Sequence, residues 1–486
     1  MRIEPSGDGR HAPQPGLRPD LQRDPHGGWR ARWDRDWRAP SSLTVLLPTA
    51  ARDGAIVDTK TLRQLMQERE STVMDALARV EGLHALRIVV VPDDNGHGPR
   101  LLINSISDDF ERVHRARVAQ VLWPHVHDLL AGAPERPEAL EALLERHHRR
   151  DNTLFHASPG VSLVQIRAEA RLRAVLRAWA DSMRASGRLQ TLSLEEARLA
   201  ARAHVVASAD ETCAREPTPR IGGRWRRRAD LVAGFLVFPM LGVIGKDLWL
   251  ATRQVRSTAK RCLATLALGV WWLYAAPFTA LAFLGVRLLE RIEPDVLPPP
   301  ASDEKLDLIE IVEDGRTKNE LTIWFPVRPT RAGRLMMWLI LFGAGLGTRH
   351  AWTRGTLAGA QNIHFARLLT VDRGTRMIFM SDYEGSFDAY IDHFIGVGGH
   401  TRAVVPISSR VEGCPKTRWL FWAADIVSFR QRWREMVRSY QLQASVRYVA
   451  YPLLSANDII AHREIRDGLF AARLSPQALE RWARRI

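Results

Sequence analysis

The chain reads as an α+β protein made of two duplicated β-α-β-β-α-β units with a membrane-inserting helical segment between them. Three observations predict this. A faint pattern occurs twice, as Ala157-x-Pro159-x2-Ser162-x3-Ile166-x5-Leu172-Arg173 and as Ala450-x-Pro452-x2-Ser455-x3-Ile459-x5-Ile465-Arg466. Upstream of each copy stands a second matched signature: His84-x2-Arg87 leads to Asp93, and His364-x2-Arg367 leads to Asp372. The most apolar stretch of the chain lies between the copies. Two signatures in the same order in both halves point to an internal repeat, which fixes the domain count before any other argument.

The elements follow in order. Met1 to Pro40 is rich in Arg, Pro, Gly and Asp and has no apolar core segment, so it is read as disordered and not as a signal peptide. The first unit with its appended helices spans 41–200. Leu43–Leu47 is a short strand. Leu62, Leu65, Met66, Val73 and Leu77 stripe a helix. Strands Leu86–Val91 and Leu101–Ile106 flank a turn at Asp93–Gly96. Helix Asp109–Leu130, a helical patch from Glu138 and strand Thr153–Ala157 complete the unit, and helix Ser162–Met183 is an appendage. The order is the split-βαβ, or ferredoxin-like, order.

A basic linker (201–230) leads to a membrane-inserting hairpin (231–290). Leu231–Gly245 is 15 uncharged residues, about 22 Å as a helix and short of the roughly 30 Å hydrocarbon core. Cys262–Val286 is 25 uncharged residues, about 37 Å, enough to span with tilt. Trp271, Trp272 and Tyr274, flanked by Arg261 and Arg287, suit an interface. A Pro-rich and acidic linker (291–318) enters the second unit (319–470). There strand Glu320–Val327, a long helix from about Arg331, strands Ile363–Val371 and Arg376–Ser381, a helix capped by Ser386, a β-like stretch at Ala403–Ile407, helix Asp425–Tyr440 and strand Ser445–Tyr451 repeat the order. The long helix contains a third uncharged run, Leu335–Gly347. A C-terminal helix fills 471–486.

Lysine and arginine exceed the acids by 15. Ten basic residues against two acids lie between Arg220 and Arg261, bracketing apolar runs. That placement suggests anionic lipid headgroups as partners. It argues against nucleic acid, which would call for an aromatic-studded basic groove. Cys213, Cys262 and Cys414 are far apart and odd in number, which fits a reducing compartment and no metal spacing.

No P-loop, G-x-G-x-x-G, H-E-x-x-H or G-x-S-x-G occurs. The candidate catalytic residues are His364, Arg367 and Asp382. Residues three apart on a strand point to opposite faces, so one member of each His–Arg pair is expected on the helix-covered side. A structural histidine is the favoured expectation. The functional one has His364 facing a cavity, ligating haem or shuttling protons. Candidate ligand contacts are His84, Arg354, Gly355, Gly359, Tyr383 and Ser386. The glycines of Thr353–Gly359 either admit a ligand to the backbone or end a helix. Ser381–Ser386 joins a strand to a helix N-terminus, which favours anions. Asp382, Glu384, Asp388 and Asp392 could ligate a hard cation, but no recognised spacing is met and capping is the expectation.

Thr353-Arg354-Gly355-Thr356-Leu357-Ala358-Gly359, Ile363-His364-Phe365-Ala366-Arg367, Ser381-Asp382-Tyr383-Glu384-Gly385-Ser386 and Gly413-Cys414-Pro415-Lys416-Thr417-Arg418-Trp419 together resemble a large, poorly characterised bacterial family. Its members pair two ferredoxin-like units and read approximately N-R-G-S-L-G-G, I-H-F-A-R-W, S-N-Y-D-G-S and G-F-P-R-T-R-W at these places. The resemblance covers Glu320–Phe470 well and Ser42–Arg173 weakly. Paired units of this kind also resemble the dimeric α/β barrel of dye-decolorising peroxidases and chlorite-dismutase-like haem proteins, a likeness of fold only. This chain departs from the family at Asp382 (for Asn), Glu384 (for Asp) and Cys414 (for Phe), its first unit lacks the aromatic after His84, and no G-x-x-D-G motif is present. The expected function is a membrane-associated binding or scaffold module, with an apolar or lipid-like ligand and both units on the cytoplasmic side. The alternative is a haem-dependent oxidoreductase of the α/β-barrel type.

Overall fold

Alternating strands and serine-capped helices carry through into the computed structural model, which describes residues 41–50, 57–93, 96, 98–109, 111–208, 249, 252–253, 257–314, 317–350, 352, 355–357, 360–395, 407–417 and 426–486. The expected disordered N-terminus, most of the basic linker, the Leu231–Gly245 run and most of the Ala403–Ile407 stretch lie outside the described residues. The first half runs β1 (Ser41–Pro48), α1 (Thr59–Glu68), α2 (Glu70–Leu77), β2 (Leu83–Val91), β3 (Arg100–Ser107), α3 (Glu111–Val126), α4 (Pro137–Arg146), β4 (Thr153–His156), α5 (Leu163–Ala185) and α6 (Leu194–Ser208). Then come α7 (Thr258–Ile292) and α8 (Asp303–Asp314). The second half runs β5 (Lys318–Pro326), α9 (Arg331–His350), β6 (Ile363–Val371), β7 (Arg376–Glu384), α10 (Phe387–Ile395), α11 (Ile426–Tyr440), β8 (Gln441–Leu442), β9 (Ala444–Val449), α12 (Ala456–Phe470) and α13 (Pro476–Ala483).

The strands form two antiparallel sheets, β1-β3-β2-β9 and β4-β6-β7-β5-β8. This corrects the expectation that each half keeps its own last strand. β4 lies on β6, with Phe155 opposite Ala366, and β9 lies on β2, with Arg447 opposite Arg87. Each closing segment first touches its own half: His148 bridges Val45, and Gln441–Leu442 pair with Ile323 and Thr322. It then crosses to the other sheet. The two sheets are thus sewn together at both seams, and every strand finds a partner.

Period-two alternation sorts the side chains. Outward residues of the first sheet (Leu43, Val45, Leu86, Ile88, Val90, Ile103) pack under α1 to α4, and those of the second (Leu321, Ile323, Ile363, Ala366) pack under α9 to α11. Inward residues of both sheets share one interior. One end of it is filled by Leu46, Val89, Val91, Leu102, Trp324, Leu369, Val371, Ile378 and Met380. The other end holds Ala85, Ile106, Phe365 and Tyr451 and is covered by Val161, Leu163, Ile166 and Ile459. α5 and α12 start there, capped by Ser162 and Ser455, whose hydroxyls accept from the backbone N–H groups of Gln165 and Asp458. The repeated A-x-P-x2-S pattern is therefore a strand end, a turn and a helix cap. α9 approaches β4 so closely that a Cβ on Gly345 would lie 2.5 Å from the Asn152 carbonyl oxygen.

Exchanged last strands predict that neither half folds alone. Tagged fragments 41–208 and 257–486 should be insoluble when expressed singly and should co-purify when expressed together. A cooperative, monomeric unfolding transition of 41–208 by itself would sink that expectation.

Candidate functional site

The histidines of the two matched strands both face the interior. The opposite-face expectation fails because each strand carries a β-bulge at its histidine. Leu83 pairs with Ser107 and Ala85 with Ile106, and likewise Ile363 with Tyr383 and Phe365 with Asp382. The extra residue breaks the alternation once, so His84 joins Arg87, and His364 joins Arg367, on the inner side. The carbonyls of the bulged residues are not wasted. Ala157 N–H donates to His364 O and Ala450 N–H to His84 O, both at 2.9 Å.

Below the histidines lies a polar layer. Arg87 donates to the Leu321 and Ser381 carbonyls, to Thr322 Oγ1 at 3.1 Å and to Asp382 Oδ2 at 2.5 Å. Arg367 makes the matched reach in the other direction, to Thr44 Oγ1 at 3.4 Å and the Ser105 carbonyl at 3.1 Å, with Asp151 at 4.0 Å. Arg447 donates to the Lys318 carbonyl at 2.6 Å and lies 3.7 Å from Asp382. Burial pulls the Arg367 guanidinium down to about 10, which still leaves it charged at neutral pH.

Above this layer, each histidine is held by an acid at the end of the neighbouring strand. His84 Nε2 donates to Asp108 Oδ1 at 2.9 Å, which leaves Nδ1 to accept from the Tyr451 hydroxyl at 3.2 Å. Asp108 Oδ2 accepts from the Leu163 N–H at 2.6 Å, in the first turn of α5. In the second half His364 Nε2 lies 2.5 Å from Glu384 Oε1, and the same oxygen accepts from the Ala456 N–H, in the first turn of α12. The carboxylates thus sit at the positive ends of two helix dipoles. Burial holds His364 below the ordinary imidazole value, and Glu384 offsets this only in part. Burial also pushes the Glu384 carboxyl upward, but His364, the Ala456 N–H and Lys318 outweigh it and leave it below the usual range. Lys318 donates to the Tyr451 carbonyl at 2.7 Å, and burial pulls its ammonium down to about 7. Tyr451 itself is pushed well above its ordinary value by burial, so it stays a phenol.

The expected site residues are therefore only partly gathered. His84, His364, Arg367 and Asp382 share the interior, but each is engaged by its own partner. Tyr383 faces the other side of β7, stacked on Tyr390 at 4.1 Å beneath α10, and so belongs to the core. Ser386 caps α10, accepting from the Ala389 N–H at 3.2 Å, as its sequence context suggested. Gly355 has φ +76°, and a Cβ there would meet Ile460 Cδ1 at 2.5 Å, so packing against α12 explains it without a ligand. Arg354 and Gly359 lie outside the described residues. The four carboxylates do not converge: Asp382 pairs with Arg87, Glu384 with His364, and Asp388 and Asp392 with Arg434. Among the described residues no group of three His, Cys, Asp or Glu could hold a metal ion. Asp108, Lys318 and Tyr451 were not singled out by sequence. The available signal was the acid directly after β3 and at the end of β7, at matched positions.

A haem does not fit at His364. Its Nε2 is met by Glu384, and the rings of Phe365 and Tyr451 stand 6.4 and 6.0 Å from its own. His84 is fully buried, and His364 and Phe365 are 3% exposed, so nothing as large as a porphyrin reaches these nitrogens. The arrangement can orient protons and hold helix ends, and among the described residues its imidazoles are closed off by their own partners.

The buried Arg87–Asp382 pair should show its worth only when broken. Arg87→Met should cost roughly 3–5 kcal/mol, because the buried Asp382 carboxylate then keeps only the longer Arg447 contact at 3.7 Å. Arg87→Met with Asp382→Leu should recover much of that in denaturant unfolding. No recovery in the double variant would show that the two are not coupled.

The histidines also predict a pH dependence. His364 is held down, and burial together with the Arg367 charge holds His114 down to about 3. The unfolded chain takes up these protons near pH 6.5, so stability is whole above that value and falls as the pH drops. Each neutral imidazole contributes about 1.4 kcal/mol per pH unit in that range. His114→Gln should make the fall between pH 6 and 4 (roughly the window set by these values) shallower, and an unchanged melting profile would contradict it.

No family model, curated protein or solved structure matches the chain, so what the molecule does has to be read from its own geometry.

Proposed function

We propose that the protein is a membrane-associated binding or scaffold module: two duplicated ferredoxin-like units closed into one dimeric α/β-barrel-like body and anchored by α7. The observation that carries this reading is α7 itself. It is 35 residues long and apolar enough to cross a membrane, and Leu263, Leu266, Val270, Leu273, Leu281, Leu284 and Leu288 on it are 58–79% exposed. A helix with such a face is costly in water and stable in lipid. Its C-terminal end is tied to the body by buried acids. Glu290 accepts from Thr417 Oγ1, and Glu293 accepts from Arg410 Nη1 at 3.0 Å and Thr330 Oγ1 at 2.9 Å. The anchor is thus rigidly joined to the folded body.

The matched bulges, arginine reaches and capped helices support duplication, and they fit the resemblance to the bacterial family of paired units. The apolar ligand expected from sequence is then the bilayer, which the exposed leucines of α7 would meet. Basic residues around α7 suit anionic headgroups. β2 pairs with β9 and β4 with β6, across the α7 segment, so the chain must return to the side it left. We place that side in the cytoplasm, in keeping with scattered free cysteines. Either the Leu231–Gly245 run supplies the returning leg or α7 is re-entrant.

The test labels Glu138→Cys and Ala389→Cys variants, in a background lacking the native cysteines, with a membrane-impermeant maleimide. Both reporters should react in inverted vesicles and neither in right-side-out ones. Opposite sidedness would sink the paired body, and recovery of the protein in the soluble fraction would sink the membrane reading.

A further inference from the structure

We propose that the outer face of α9 lies in the hydrocarbon of the bilayer beside α7, so that the folded body is half-sunken and not a soluble head on a tether. The inference rests on the membrane reading of α7 and adds to it the surface by which the body itself meets lipid.

Packing fixes how the two helices run. At the C-terminal end of α7, Glu293 accepts from Thr330, and a Cβ on Gly333 would lie 3.2 Å from Glu293 Oε1. Eight residues back along α7, a Cβ on Gly285 would lie 3.3 Å from Met336 Cε. The contacts advance along α9 as they retreat along α7, so the two helices run in opposite senses where they touch. Their charges then stop at one level. Above it stand Arg287 and Arg291 on α7 and Arg331 and Arg334 on α9. Below it α7 is uncharged from Val286 back to Cys262, and α9 is uncharged from Leu335 to Gly347.

The uncharged run of α9 is about 20 Å long, roughly two-thirds of the hydrocarbon thickness. Its inner residues Met337 and Leu341 are buried against the second sheet, whereas Leu335 is 60% and Trp338 54% exposed. Trp338 stacks on half-buried Phe342 at 5.8 Å. A long-range anchor needs no apolar face on the body it carries. This body presents Leu335 and Trp338 close to the anchor and just below Arg331 and Arg334. Arginine at the level of the headgroups with apolar and tryptophan side chains just below is the pattern of an interface. A soluble partner would have no reason to share the charge boundary of α7.

The experiment uses the full chain, with native cysteines replaced, carrying an environment-sensitive fluorophore at Trp338→Cys, Leu263→Cys or Glu138→Cys. Each is reconstituted in vesicles of phosphatidylcholine and phosphatidylglycerol in equal parts, with and without nitroxide-labelled lipid. The label at 338 should emit to the blue and lose most of its emission to the nitroxide, as should that at 263, while that at 138 does neither. A label at 338 that behaves like that at 138 overturns the inference. So does a blue shift at 338 without quenching, which would mean that a second copy of the chain covers the face. The label at 263 decides the anchor separately, so the two failures are distinguishable.

Discussion

Arg87 sits on a strand of the first half and spends its hydrogen bonds on the second, on Thr322, Asp382 and two carbonyls of the facing sheet. Arg367 does the reverse, reaching Thr44 and the Ser105 carbonyl. A guanidinium taken out of water must satisfy its donors in a fixed fork geometry, and only one relative placement of the sheets does so for both. The two halves are therefore held in register by polar constraint as well as apolar filling. Asp382 has no acidic counterpart at the matched position of the first half, where Ile106 stands, so the interior carries its charge unevenly.

The bulged histidines depend on that register. Each bulge turns an imidazole inward, its carbonyl accepts from the alanine of the opposite half, and its ring meets an acid that also holds a helix N-terminus. The result is a chain of contacts from strand to helix cap that closes one end of the interior. Burial keeps His364 neutral, and His364, the Ala456 N–H and Lys318 keep Glu384 ionised beside it. The cluster resembles a catalytic relay, yet His84 and His364 are both buried.

The exposed side of the molecule follows different physics. Along α7 one face packs through Trp271, Ala275 and Val286 while leucines point outward, and its end is fastened by a buried Glu293–Arg410 ion pair and a hydrogen bond from Thr417 to Glu290. Apolar surface is thus left open along α7 directly beside tightly held polar groups at its C-terminal end.

Local signals were legible in the sequence. The strands Leu86–Val91 and Ile363–Val371, the cap at Ser386 and the apolar length of Cys262–Val286 all follow from periodicity, capping chemistry and charge spacing, which act within a few residues. Three things could not be read there. A bulge at His84 or His364 is a property of pairing with another strand. The choice between Tyr383 and Asp382 as the inward residue turns on that same register. The exchange of β4 and β9 is a choice among partners far apart in sequence. By itself the sequence determined most strands and helices and the apolar length of Cys262–Val286, but it read the helix Asp303–Asp314 as linker and passed over the helix Ala456–Phe470. Only the tertiary structure decided which strands meet and which side chains face inward, because those outcomes rest on non-local hydrogen bonding, where one residue of register reverses every side chain.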